Sequence, residues 1–261
     1  MASGAVLVIA AVAAVLGGPL LFAALTAVAA IMALVEWHRL VNANRLAWET
    51  LPTALAVTAV VLLVHLHVPL AWPLAAVAAG TVFAAIIAAV RRSWVLWHAF
   101  AAPYIGLPTL ALVALREDQL RGGVLVGGIF AAVWAADTGA LFLGKLIGGP
   151  RLAPTVSPNK TWAGFVGGVI AAGAAEAIYV FLVGGVVTEG ALFGIFLGIA
   201  GHCGDLFESW VKRQFRAKNS GTLIPGHGGM LDRIDSLLFA APAGAAFLFV
   251  TGINPLFGPG S

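Results

Sequence analysis

GDLFESWVKRQFRAKNSGTLIPGHGGMLDRID, residues 204–235, lies between two apolar runs and carries four carboxylates, five Lys or Arg, a His and five Gly. The whole chain is 61% hydrophobic and only 10% charged, so such a density requires a cause. Each ionised group held at bilayer depth costs roughly 2.5 kcal/mol or more. The stretch reads as the chemically active segment of a chain that otherwise belongs to a membrane.

Outward from this stretch, apolar runs of about 20 residues, the length a membrane crossing needs, recur over the entire chain. The mean hydropathy is +1.01. One soluble core cannot hide the outer faces of so many apolar segments. The composition therefore specifies an all-α polytopic membrane protein. Spans are predicted near 53–68, 70–90, 94–115, 123–143, 163–183, 188–203 and 237–251. Before them, 7–16 is short, and Gly17-Gly18-Pro19 breaks any helix continuing to Val35. The count is about nine transmembrane helices, or eight if the first two merge. No Lys or Arg precedes the first apolar run, so it reads as a retained helix rather than a signal peptide.

The distribution of Lys and Arg orients these spans. The loops after the second, fourth, sixth and eighth spans hold Arg39 and Arg45; Arg91 and Arg92; Lys145, Arg151 and Lys160; and Lys212, Arg213, Arg216, Lys218 and Arg233, twelve in all. The opposite loops hold Arg116 and Arg121. Positive charge stays inside, which puts every chemically loaded segment at the cytoplasmic face, with the amino terminus inside and the carboxyl terminus outside. Residues 1–122 are expected to form an amino-terminal scaffold and lipid-facing wall. Residues 123–261 are expected to form the catalytic region of one integrated membrane domain.

Charge and cysteine usage exclude several function classes. The net charge of +3 comes from basic residues scattered between spans rather than gathered in a patch, so nucleic acid is not the partner and anionic lipid or nucleotide phosphate is. A lone Cys203 supports neither a disulfide framework nor a Cys-rich zinc site. In the first half, Glu36, His38, Arg39, Glu49, His65, His67 and the Trp-rich span ends read as scaffold. Trp and Arg anchor helix ends at the interface, and no carboxylate neighbours His65 and His67 in sequence to complete a metal site.

Chemistry begins at Asp137, a carboxylate inside an apolar span that needs a cation or a metal, or a Lys from a neighbouring helix. Gly144-Lys145 lacks the surrounding pattern of a phosphate-binding loop. Pro154 to Trp162 contains Pro158, which forbids a continuous helix. It reads as an exposed turn presenting Ser157, Lys160 and Thr161, either to phosphate oxygens or as an ordinary helix start. From Asp205 a helix places Asp205, Glu208, Ser209, Lys212 and Arg216 on one face and Leu206, Phe207, Trp210, Val211 and Phe215 on the other. That pattern suits a metal beside phosphate, and equally a solvated amphipathic helix. Past Arg216, the glycines around His227 suit close backbone approach to phosphate. A new helix near Leu231 sets Asp232, Asp235 and Ser236 on one face, with helix capping the alternative for either carboxylate.

Ser209-Trp210-Val211-Lys212-Arg213, then Lys218, then His227-Gly228-Gly229-Met230-Leu231-Asp232-Arg233-Ile234-Asp235 resembles the signature of the phosphatidate cytidylyltransferases, the CDP-diacylglycerol synthases. The likeness extends to Asp137-Thr138-Gly139, Ser157 to Trp162 and Gly204 to Ser209, so it covers roughly the carboxyl-terminal half. Two positions depart from the family pattern: Asn219 where an Asp is usual, and Ala163 where a Glu is usual.

The resemblance implies Mg²⁺-dependent transfer of the cytidylyl group from CTP to phosphatidate, in a bacterial inner membrane, with a second metal or a monovalent cation and a homodimer left open. It also implies roles. Asp205 and Asp232 hold the metal, and Asp235 is a further ligand or orients one. Asp137 either joins the metal or orders Lys160. Lys212, Arg213, Arg216 and Arg233 neutralise lipid phosphate and departing pyrophosphate. Ser157, Lys160, Thr161, His227, Gly228 and Gly229 close over the nucleotide, with Lys145, Ser209 and Lys218 as further substrate contacts. The competing classes are a secondary transporter of an anionic solute and a membrane transferase acting on another lipid phosphate.

Overall fold

The computed structural model describes residues 2–43, 47–118, 121–221, 228–252 and 254. Among them are nine α-helices and one two-stranded sheet. Seven helices are long and apolar enough to cross a membrane: α2 (Pro19–Val41), α4 (Ala71–Val90), α5 (Val95–Arg116), α6 (Gly122–Ile147), α7 (Trp162–Val183), α8 (Val187–Gln214) and α9 (Leu231–Thr251). Shorter are α1 (Ala2–Leu16) and α3 (Thr50–His65). The chain is an all-α integral membrane protein. Between α1 and α2 the backbone breaks at Gly18, whose φ of 96° only glycine adopts readily, and Pro19 opens α2 where its missing N–H is harmless.

Two compact units divide the chain: Met1–Gly123 with Gln214–Ile234, and Val124–Arg213 with Asp235–Ser261. In the first, α3 packs on α4 and α5, and α2 on α5 and α3. Trp37 is fully buried there, against Trp97, Phe100 and Tyr104, and its indole N–H donates to the Trp97 carbonyl at 2.9 Å. It is therefore a core residue rather than an interfacial anchor, whereas Trp48, Trp72 and Trp94 are exposed. His38 and His98 meet through their Nδ1 atoms at 2.8 Å, with Thr53 beyond one ring and Ser93 and Asn42 beyond the other. This buried chain of polar groups ties three helices together. His65 also finds a carboxylate, Glu117, at 3.0 Å, which its sequence neighbours gave no reason to expect.

In the second unit close helix approach is built on glycine. A Cβ at Gly139 would lie 2.5 Å from that of Ala171, one at Gly168 2.6 Å from the Ala136 carbonyl, and one at Gly204 2.5 Å from the Asp235 carbonyl. Small residues at such contacts are how helices associate where lipid removes the hydrophobic drive.

The charged segment after 204 is not a separate helix but the end of the 28-residue α8. It stops at Gln214, and Arg216 follows with φ 53°, so Arg216 lies off the helical face on which its spacing had put it. The faces also differ from expectation. Glu208 and Val211 are both fully buried, so the face bearing the acids packs inward and takes Val211 with it.

Candidate active site

Three carboxylates gather in the second unit. Asp205 sits on α8, Asp137 on α6 and Asp235 on α9; the Asp205 charge acts on Asp137, and those of Asp205 and Asp137 act on Asp235. The close passage of α8 at Gly204 past the Asp235 backbone brings Asp205 and Asp235 together. Lys160 forms an ion pair with Asp205, both about a quarter exposed at 25% and 26%. Ser209 Oγ donates to Asp205 at 3.4 Å, Ser236 Oγ to Asp137 at 3.3 Å, and the Ser236 N–H to Asp235 at 2.7 Å. Asp137 is exposed rather than sealed in a helix interface, although it stands well inside α6. One turn along α8, Lys212 pairs with the buried Glu208 at 2.5 Å.

The segment read as a turn before α7 is a β-hairpin. Strand β1 (Arg151–Ala153) pairs antiparallel with β2 (Ser157–Thr161), and Pro158 occupies an exposed position of the short second strand. The hairpin delivers Lys160 to Asp205. At its end Thr161 is buried and caps α7, its hydroxyl accepting the Gly164 N–H at 3.0 Å, so that oxygen already has a helix-starting task. Ser157 remains half-buried, and the turn between the strands is held by Arg213, whose Nε donates to the Val156 carbonyl at 3.1 Å.

A second carboxylate arrangement lies wholly in the first unit. Asp232, in the first turn of α9, accepts the Ser220 N–H at 3.1 Å and the Gly229 N–H at 2.9 Å. Glu36, near the end of α2, accepts the Leu231 N–H at 2.8 Å and the Ser220 hydroxyl at 3.4 Å. Both acids therefore hold the two ends of the segment 221–228. Gly221 and Gly229 admit Glu36, since a Cβ at 221 would stand 2.7 Å from Glu36 Oε1 and one at 229 would strike Glu36 and Ser220. Asp232 thus binds amides that precede α9 and does not cap the N–H groups of that helix, the alternative named for it. A carboxylate that also ligates metal is commonly held by such hydrogen bonds.

Of the other expected residues, Lys145, Arg213, Arg216, Lys218 and Arg233 are exposed, and Gly228 is half-buried with φ 83°. His227 lies outside the described residues, as do Arg45 and the rest of 222–227. Sequence reasoning missed two residues. His202, buried with its ring tilted against that of Phe165, stands three residues before Asp205 on α8 and feels the charges of Lys160 and Asp205. The helical spacing alone would have found it. Glu36 had no such signal, because its partners lie almost two hundred residues away in sequence.

Among the described residues no group of three or more His, Cys, Asp or Glu side chains forms a ready cage for a metal. The carboxylate and hydroxyl oxygens at Asp205 and Asp137 suit a hard divalent cation. Mg²⁺ needs only one or two protein carboxylates when water and substrate phosphates complete its shell.

The family model described as "Cytidylyltransferase family" matches residues 1–251. A phosphatidate cytidylyltransferase of Brucella suis biovar 1 is 45% identical over 157 residues, 60% of this chain and 57% of that protein. One from Bacillus subtilis is 38% identical over 144 residues, 54% of each chain, and one from Rickettsia bellii 33% identical over 157 residues, 57% of this chain and 66% of its own. The matches thus span from about half to two thirds of these relatives' lengths.

Proposed function

The chain belongs to the cytidylyltransferase family, and from that premise we propose that it transfers the cytidylyl group of CTP to phosphatidate, giving CDP-diacylglycerol and pyrophosphate. The observation that carries this reading is the ion pair of Lys160 with Asp205, beside Asp137 and Asp235, which both feel the Asp205 charge. A phosphate monoester with a second pKa near 6 is already largely a dianion at neutral pH, so it attacks without a strong general base. What the protein must supply is alignment and neutralisation of two polyanions.

In this reading a lipid phosphate oxygen attacks the α-phosphorus of CTP, and the bond to the β-phosphate bridge oxygen breaks as pyrophosphate leaves. Asp205, with Asp235 and Asp137, would hold Mg²⁺, which when bound offsets phosphate charge and polarises the phosphoryl group. Assignment of Asp232 to metal rests on the family motif alone. Lys160 orders Asp205 and stands ready to meet a phosphate oxygen. Lys212, Arg213, Arg216 and Arg233 neutralise the lipid phosphate and the departing pyrophosphate, while Ser157, Ser209, Lys145, Lys218, His227, Gly228 and Gly229 contact substrate. Residues 1–122 serve as scaffold and 123–261 as the catalytic region, in a bacterial inner membrane with the site open to the cytoplasm, as the 12-to-2 split of basic residues supports.

The test is purified protein with CTP and a panel of lipid phosphates, with and without Mg²⁺. Liponucleotide should form from phosphatidate only with the metal present. Failure with every lipid phosphate, or solute uptake into liposomes instead, overturns the proposal.

A further inference from the structure

We infer that Arg213 is a positioning residue for nucleotide transfer: it fastens the turn of the β1–β2 hairpin to the end of α8, and so lays the strand carrying Ser157 and Lys160 along the charged stretch of that helix. The inference rests on the cytidylyltransferase reading, in which Ser157 and Lys160 meet the nucleotide.

The hairpin is too small to hold this position by itself. A two-stranded ribbon is marginally stable in water. This one pairs strands of three and five residues, with an irregular register between Arg151 and Ala153. Pro158 has no N–H to give to the ladder. The chain enters through Gly148 and Gly149, at φ 66° and 92°, which bring no side chain to stiffen the entry. At its base the hairpin is tied to the start of α7, where the Trp162 N–H donates to the Pro150 carbonyl at 3.1 Å and Thr161 caps the helix.

Two contacts fasten it to α8. One is the ion pair of Lys160 with Asp205, and the other is the hydrogen bond from Arg213 Nε to the Val156 carbonyl at 3.1 Å. Asp205 and Arg213 are eight residues apart on the helix, about 12 Å of rise. Lys160 and Val156 are four residues apart on the strand, about 13 Å of extended chain. The two lengths agree, so β2 runs beside α8 in the opposite direction, along the stretch that bears Glu208, Ser209 and Lys212. Fastened at Asp205 alone, β2 could swing about Lys160. Arg213 removes that freedom one residue from Ser157. A guanidinium serving phosphate alone would keep its planar fork for the anion; here Nε is spent on a neutral carbonyl.

The experiment compares wild type with Arg213→Ala, Arg213→Gln and Arg213→Lys in detergent, measuring KM for CTP, KM for phosphatidate and kcat, with hydrogen exchange followed across 150–162. Arg213→Ala should raise KM for CTP roughly fivefold, as for one hydrogen bond at an exposed position, while KM for phosphatidate stays within about twofold. Gln carries its amide nitrogen at the same distance along the side chain as Arg Nε, whereas Lys has a methylene there. Arg213→Gln should therefore recover most of the loss and Arg213→Lys little of it. Exchange in Arg213→Ala should quicken across 153–157 and not in α6.

A charge that acts directly on phosphate predicts the reverse, rescue by Lys and none by Gln, with KM for phosphatidate rising. That pattern, or unchanged exchange across 153–157, overturns the inference. A wild-type protein that makes no liponucleotide removes the cytidylyltransferase reading and the inference together. An active wild type whose KM for CTP is indifferent to Arg213→Ala removes the inference alone.

Discussion

Asp205 and Asp137 are held differently from the carboxylates around Ser220. Asp205 pairs with Lys160, and the hydrogen bonds of Asp205 and Asp137 to the Ser209 and Ser236 hydroxyls are long, at 3.4 and 3.3 Å. Asp232 and Glu36 instead accept backbone amides at 2.9 and 2.8 Å. Amide-bound carboxylates fix a backbone; carboxylates crowded among their own kind keep lone pairs for a cation. The contrast separates groups that shape the protein from groups with capacity left for a ligand.

Exchanging acids between these classes of role gives different signatures. Asp205→Asn should cut turnover by at least about a hundredfold and leave the melting temperature within about 2 °C, read by liponucleotide formation and thermal unfolding in the same detergent. Asp232→Ala should lose activity and stability together, because two backbone N–H groups are left unsatisfied at about 1–3 kcal/mol each. If Asp232→Ala melts like wild type while Asp205→Asn unfolds, the contrast is reversed.

Lys160→Met should sharpen the picture further. It removes the Asp205 partner and a candidate phosphate contact, and a loss of roughly tenfold or more in kcat/KM is expected, with added salt unable to restore it.

The smallest effect should come from Glu176. It is fully buried in α7, and neither of its carboxyl oxygens has a hydrogen-bond partner among the described residues. Gly128 and Gly194 give it room. Glu176→Met should leave kcat within about twofold and raise stability by about 1 kcal/mol, since an unpartnered polar group is exchanged for an apolar one. A large loss of activity would mean that an acid outside the Asp205 group takes part.

The helices were legible because lipid imposes one rule on every span, a long apolar run ended by Gly, Pro or charge. The predicted starts of α7, at 163, and α8, at 188, fall within one residue of Trp162 and Val187. The break before Pro19 was legible as a possibility and needed the structure to choose it. The hairpin at 151–161 was not, because strands of three and five residues carry too few positions for an alternating pattern. Inward packing of Val211 was hidden for a different reason. In a membrane both faces of a helix are apolar, so hydropathy alone does not say which one meets protein.

Within the site, Asp205, Lys160 and Asp137 stood out because charge inside an apolar chain is rare, and the structure brings those three together. Glu36 looked like any acid near a span end. Its meaning lies in a contact with Leu231 that no local period encodes.

The most direct measurement follows the label. Purified protein given phosphatidate, Mg²⁺ and CTP radiolabelled at the α-phosphate should carry that label into the lipid fraction, while label at the γ-phosphate should leave as pyrophosphate. Label from the γ-phosphate in the lipid, or none from either position, would contradict cytidylyl transfer at the Asp205 site.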